Sequence, residues 1–136
     1  MSPIPQRVIA MVNNKGGVGK TTCALNIAAG LARRDRRVLI VDVDPQANAS
    51  LVLLGSKLFE LPRSLYDVLL EQDRHIREIT VPTPITGLDL APSQTSLANA
   101  ELNLVSVRGR ERVLRRSMAQ GLESYHYMLI DCPPSL

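Results

Sequence analysis

Three short apolar runs divide the chain: Arg7 to Val12, Arg37 to Val43, and Tyr125 to Ile130. The second is nearly continuous in Val, Leu and Ile, the third runs Tyr-His-Tyr-Met-Leu-Ile, and all are short. Such runs predict strands buried on both faces, as in a parallel sheet. Between the first two lies Lys20 to Arg33, where Ala24, Ile27, Ala28 and Leu31 recur at helical spacing. This predicts a helix with that face packed on the sheet. Helical patterns return at Ala47 to Leu54 and at Ser64 to Glu71. In the second of these, Ser64 is placed as an N-cap, with Leu65, Val68 and Leu69 on the apolar side. Gly55 to Pro62 reads as a loop. Ile79 to Thr83 and Leu88 to Ala91 read as short strands, separated by Pro82, Pro84 and Gly87. Ser93 to Val105 and Arg108 to Gln120 predict two further helices. Alternating strands and helices imply an α/β fold, a mainly parallel sheet flanked by helices, in one domain over residues 1–136.

Composition narrows the class only a little. A chain of 136 residues, 45% of them apolar, can bury a real core. Its net charge of +3 permits contact with nucleic acid but does not argue for it. Cys23 and Cys132 have neither metal spacing nor a disulfide framework, so each reads as a packing residue in a reducing compartment. Met1 to Arg7 has no targeting pattern, and no apolar run approaches the length of a membrane span. The expectation is a soluble, cytoplasmic protein without a membrane partner.

The informative stretch is Asn13 to Thr22, Asn-Asn-Lys-Gly-Gly-Val-Gly-Lys-Thr-Thr, set between the first strand and the first helix. Gly16, Gly17 and Gly19 lack a Cβ, so the backbone can turn tightly and approach a ligand closely. Successive amides, including that of Val18, can then face inward as an anion nest at a helix N-terminus. Lys20 is placed to reach β- and γ-phosphates. The Thr21 hydroxyl suits Mg²⁺, and Thr22 suits an inner phosphate. The common phosphate-loop pattern has a glycine where this chain has Asn14, and this chain adds Lys15 at the mouth of the loop. The candidate nucleotide-binding residues are therefore Lys15, Gly16, Gly17, Val18, Gly19, Lys20, Thr21 and Thr22.

Carboxylates end two of the apolar runs. Asp42 and Asp44 sit one alternation apart at the end of the second, so both should point to one side, where open α/β sheets bind ligands. Asp44 is assigned a catalytic role, and Asp44-Pro45 is also expected to cap and start the next helix. Asp131 ends the third run and is placed as a Mg²⁺ anchor acting through a water of the metal shell. His75 reads as a surface residue and His126 as a partly buried strand residue. Arg108, Arg110, Arg112, Arg115 and Arg116 read as a solvated, mixed-charge helix face rather than a DNA-binding stripe.

Asp131, just after the third run, stands five residues before the last residue, Leu136. A parallel βα unit needs a helix after its strand, so the expectation is the N-terminal portion of a longer protein, truncated after that strand. Uncovered apolar edges would then leave the chain marginally stable or prone to associate.

Lys-Gly-Gly-Val-Gly-Lys-Thr-Thr at 15–22, Val-Asp-Val-Asp-Pro-Gln-Ala-Asn at 41–48 and Leu-Ile-Asp-Cys-Pro-Pro-Ser at 129–135 together resemble the ParA/Soj partitioning ATPases. These are P-loop NTPases with a deviant Walker A box. Gly87 to Val105 is similar to that family's middle region. The resemblance implies an ATP-dependent homodimer using ATP and Mg²⁺, with Asp131 in the Walker B position. Lys15 would reach the partner's nucleotide, and Lys20 would hold the β- and γ-phosphates of its own subunit. Thr21 and Asp131 would serve the metal, and Asp44 the attacking water. It also implies chromosome or plasmid DNA partitioning at the nucleoid, nonspecific DNA binding, and a ParB-like centromere-binding partner that stimulates hydrolysis. The glycine box alone would also fit a MinD-like cell-division positioning ATPase, and a nucleotide-binding module without turnover is a third possibility.

Overall fold

The computed structural model describes residues 7–12, 19–71, 75–94, 112–118 and 123–133. The expected alternation is realised as strand β1 (Arg7–Met11), helix α1 (Lys20–Ala32), strand β2 (Val38–Asp42) and helix α2 (Asn48–Leu54). A 3-10 turn over Gly55–Glu60 follows, then α3 (Leu65–Leu70) and a 3-10 turn at Ile76–Glu78. Strands β3 (Val81–Pro82) and β4 (Leu88–Ala91) come next, and helix α4 (Val113–Ser117) and strand β5 (Tyr127–Asp131) complete the described elements. The helix expected at Ser93 to Val105 lies outside the described residues from residue 95 onward. Ser93 itself follows β4 outside any regular element. Of the helix expected at Arg108 to Gln120, the described part is α4 with its flanks, where Arg112, Arg115 and Arg116 are exposed.

The strands form one sheet in the order β1-β5-β2-β4-β3. The pairs β1–β5, β5–β2 and β2–β4 are parallel, and only β3 runs antiparallel, at the far edge. The last described strand is thus inserted between the first two. His126 helps set that register: its Nδ1 accepts the Arg37 N–H at 2.9 Å, and its own N–H donates to the Arg37 carbonyl at 2.8 Å.

Strand β2 is the centre of the core, with Val38, Leu39, Ile40 and Val41 all fully buried. Because side chains alternate across a strand, these four residues serve two layers. Val38 and Ile40 pack with Ala28, Ala32, Ala49, Leu53, Leu88, Leu90 and Leu129, under α1 and α2. Leu39 and Val41 pack with Leu65, Val68, Leu69, Ile76, Val113 and Met128, under α3 and α4. Leu65, Val68 and Leu69 are buried as their spacing predicts, and Ser64 caps α3: its Oγ accepts the Tyr66 N–H, while Asp67 accepts the Ser64 N–H at 2.8 Å.

Helix α1 departs from expectation in its buried face. Ala24, Ala28 and Ala32 face inward, whereas Ile27 is 44% exposed and Leu31 only half-buried. Small residues every fourth position let the helix lie close on the sheet, and that close seat rotates the bulkier positions outward. On the outer side, β1 is exposed along most of its length, with Val8 at 52% and Ile9 at 39%.

Candidate functional site

The C-terminal ends of β1, β5 and β2 lie at one level, because Met11 pairs with Asp131 and Asp131 pairs with Asp42. The chain leaving β5 continues this alignment: the Cys132 N–H donates to the Met11 carbonyl at 3.3 Å and the Val43 N–H to the Asp131 carbonyl at 3.0 Å. The crevice beyond the carboxyl ends of parallel strands is the general ligand position of open α/β sheets.

Helix α1 begins at this end. Its N-cap is Gly19, in the left-handed region at φ 80°, with open space where a Cβ would stand. The glycine is thus required by its backbone angle and not by crowding. Among the described residues no side chain caps this helix start and no acid lies in its first turn. Its first amides and its positive dipole end are consequently available to an anion.

Three predicted site residues meet there. The Thr21 hydroxyl donates to Oδ2 of Asp131 at 2.7 Å, and Nζ of Lys20 lies 3.3 Å from Oδ1 of the same carboxylate. Asp131 is fully buried and the Lys20 side chain only 11% exposed. Among the described residues Oδ1 has the ion pair but no hydrogen bond, so one buried carboxylate oxygen keeps accepting capacity there. Mg²⁺ is commonly held through one or two carboxylates plus substrate phosphates, which a threonine hydroxyl and one such oxygen suit. Among the described residues no group of three or more His, Cys, Asp or Glu side chains is gathered as a metal site. The adjoining Cys132 thiol has its pKa pushed up by burial, opposed by Lys20 and helped by Asp131. Thr22 follows in the first turn of α1, and Lys15, Gly16, Gly17 and Val18 lie outside the described residues.

Asp44 is placed differently from the simple expectation. Its Oδ1 accepts the Gln46 N–H at 3.0 Å, closing a turn, and the N-cap of α2 is Ala47 rather than an Asp44 cap. Asp44 is 5% exposed, and none of the described contacts joins its side chain to Lys20, Thr21 or Asp131.

The sequence reading gave Asp42 no role of its own, and the structure makes it a hub. Its Oδ1 accepts the Asp44 N–H at 3.1 Å, while Oδ2 accepts both the N–H and the hydroxyl of Ser50, at 3.0 and 2.6 Å. Complete burial raises its pKa to about 6. The Ser50 and Asp44 hydrogen bonds oppose that rise, and nearby Asp131 adds a smaller push upward. An acid at a strand end was visible in the sequence, but nothing there marked Ser50 as its partner.

Comparison with known proteins places the chain in a family. The family model AAA_31, described as an AAA domain, matches residues 6–136. The chain is similar to the chromosome partitioning protein ParA of Myxococcus xanthus, with 45% identity over 96% of this chain and 45% of that protein. It is similar to the sporulation initiation inhibitor protein Soj of Bacillus subtilis, with 42% identity over 96% of this chain and 51% of that protein. Among solved structures it is similar to cobyrinic acid a,c-diamide synthase of Mycobacterium smegmatis with bound ATP analogue and magnesium, at 41% identity and a TM-score of 0.89. That match covers 96% of this chain and 52% of the other. The chain therefore spans about half the length of the curated relatives it matches.

Proposed function

The chain belongs to the AAA_31 family of AAA domains, and we propose that it binds ATP with Mg²⁺ and acts as a ParA-type ATPase in chromosome or plasmid DNA partitioning. The observation that carries this reading is the meeting of Lys20, Thr21 and Asp131 where the uncapped start of α1 faces the strand ends. The partitioning role rests on the 45% and 42% identity to ParA and Soj proteins.

In this reading the Gly16–Val18 segment, Gly19 and the first amides of α1 hold the phosphates, with Thr22 on an inner one. Lys20 leaves Asp131 for the β- and γ-phosphates, to which a cation is drawn more strongly than to one carboxylate. Thr21 and Asp131 hold the metal, Asp131 through water. Held by these residues, Mg²⁺ would supply positive charge against the negative charge of the phosphates. Asp44 orients the attacking water. Lys15 supplies a second cation to the nucleotide of a partner subunit, coupling hydrolysis to dimerisation. A ParB-like protein and nonspecific DNA are the proposed partners.

Mg²⁺-dependent ATP hydrolysis by the chain, set against Lys20→Ala and Asp44→Ala, tests the site. Lys20→Ala should abolish nucleotide binding, whereas Asp44→Ala should retain binding and slow turnover by roughly 100-fold, the scale of a lost positioning group. If Asp44→Ala turns over as fast as the unaltered chain, the catalytic assignment is wrong. Lys15→Ala should still bind ATP but lose any gain in mass on adding ATP, read by light scattering with and without nucleotide.

The similarity to cobyrinic acid a,c-diamide synthase favours a second reading, an ATP-dependent synthase using the same nucleotide site. Stimulation of hydrolysis by DNA and a ParB-like protein supports the first reading, and stimulation by cobyrinic acid supports the second.

A further inference from the structure

Four buried residues form a closed ring of hydrogen bonds behind the site. The Ser50 hydroxyl donates to Asp42 Oδ2 at 2.6 Å and accepts the Ser93 N–H at 3.0 Å. The Ser93 hydroxyl donates to the Asp44 carbonyl at 2.6 Å, and the Asp44 N–H returns to Asp42 Oδ1 at 3.1 Å. Asp42, Ser50 and Ser93 are fully buried and Asp44 is nearly so. Every donor in the ring has one acceptor, which is the condition under which a buried polar network rigidifies its surroundings.

We propose that Ser93 and Ser50 are positioning residues for Asp44, clamping its backbone from both sides so that its carboxylate is held in one orientation. This rests on the role given to Asp44 above. The clamp joins three elements: Asp42 ends β2, Ser50 lies in α2, and Ser93 follows β4. The Asp44 carbonyl also accepts the Ala47 N–H at 2.9 Å, and the Gln46 N–H holds its side chain. Beside Ser93, the Pro92 carbonyl accepts the Leu65 N–H at 2.9 Å, so the start of α3 supports the clamp from the other layer.

Within this arrangement each hydroxyl does a separable task. Ser93 Oγ is the link from the β4 side to the Asp44 carbonyl, and it makes no other contact in the ring. Ser93→Ala removes that link and leaves the Ser93 N–H on Ser50. Ser93→Thr keeps the hydroxyl and is the conservative control. Ser50→Ala opens the ring at a second point, so the double variant should cost little more than either single one, as expected of groups acting as a unit.

Two measurements on the full 136-residue chain decide the proposal. By NMR without nucleotide, Asp44 should show a single side-chain rotamer and a protected amide in the unaltered chain. Ser93→Ala should give rotamer averaging at Asp44 and amide exchange roughly tenfold faster, the scale of one lost hydrogen bond. Ser93→Thr should restore both. In hydrolysis assays Ser93→Ala should lower kcat about tenfold with KM for ATP unchanged, a split that marks lost transition-state alignment rather than lost binding. An Asp44 that keeps one rotamer and its protection in Ser93→Ala overturns the clamp, and so does an unchanged kcat. If the unaltered chain does not hydrolyse ATP, the reading of Asp44 as catalytic fails, while the rotamer measurement still decides whether Ser93 orients it.

Discussion

The Thr21 hydroxyl and the Asp131 carboxylate meet at 2.7 Å although 110 positions separate them in the chain. That contact fastens the first turn of α1 to the end of β5. With Lys20 the hydroxyl is one of the two described groups that hold the fully buried Asp131 carboxylate. Thr21→Val keeps the shape and removes the donor. It should destabilise the nucleotide-free chain by about 2 kcal/mol, the usual cost of depriving a buried charged acceptor of its hydrogen bond. Thr21→Ser should recover most of this in a denaturant titration. Equal stability of the valine variant would mean that water replaces the hydroxyl.

Lys20 has a structural role before any nucleotide arrives. It is the positive partner of a carboxylate that is 0% exposed. Lys20→Ala should therefore lower stability as well as nucleotide binding, by about 3 kcal/mol, because an uncompensated buried charge remains. Adding Asp131→Asn removes that charge and should return part of the loss. Thermal melts of the single and double variants measure the recovery. A double variant no more stable than Lys20→Ala would mean that the unpaired Asp131 carboxylate is not the source of the loss.

The raised pKa of Asp42 has a definite sign. Its carboxyl titrates at about 6 in the folded chain against 3.8 in the unfolded one, chiefly because burial disfavours the charge. Between these values the folded state binds the proton and the unfolded state has lost it. This group's contribution to stability is therefore fully present below pH 3.8 and is lost as pH rises to about 6. The amount is on the order of 3 kcal/mol. Carbon-13 NMR of the Asp42 carboxyl, without nucleotide or metal, should show a midpoint near 6. A midpoint near 3.8 would show that the Ser50 and Asp44 hydrogen bonds outweigh desolvation.

Strand β1 predicts the solution behaviour of the 136-residue chain. It is an outer strand of the described sheet, and Val8 and Ile9 are 52% and 39% exposed. An apolar parallel edge offers unpaired backbone groups to another strand. The chain should associate at micromolar concentration in light scattering. Val8→Lys with Ile9→Lys should reduce association while changing stability little, since exposed substitutions commonly stay within about 0.5 kcal/mol each. A monodisperse, cooperatively melting monomer of the unaltered chain contradicts this.

Local periodicity was enough to establish most of the elements. The runs at β1, β2 and β5, the α1 and α3 patterns and the Ser64 cap are short-range properties, and each is realised within a few residues of its expected bounds. The acids at the ends of β2 and β5 and the Gly19-Lys20-Thr21 helix start were legible for the same reason: they are local exceptions in apolar or helical surroundings. Which face of α1 is buried was not legible, because Ala24, Ala28 and Ala32 outcompete Ile27 only when a close helix–sheet seat is available. Nor was the insertion of β5 between β1 and β2, since parallel pairing joins distant residues and leaves no periodic mark. By itself the sequence determined the α/β alternation and the kind of chemistry that its glycine loop and strand-end acids can offer. Tertiary structure alone decided that Asp131 would receive Lys20 and Thr21, and that Asp42 and Asp44 would close a ring with Ser50 and Ser93. Those contacts depend on strand order and on burial, which set distances and electrostatic cost between groups that the linear chain keeps far apart.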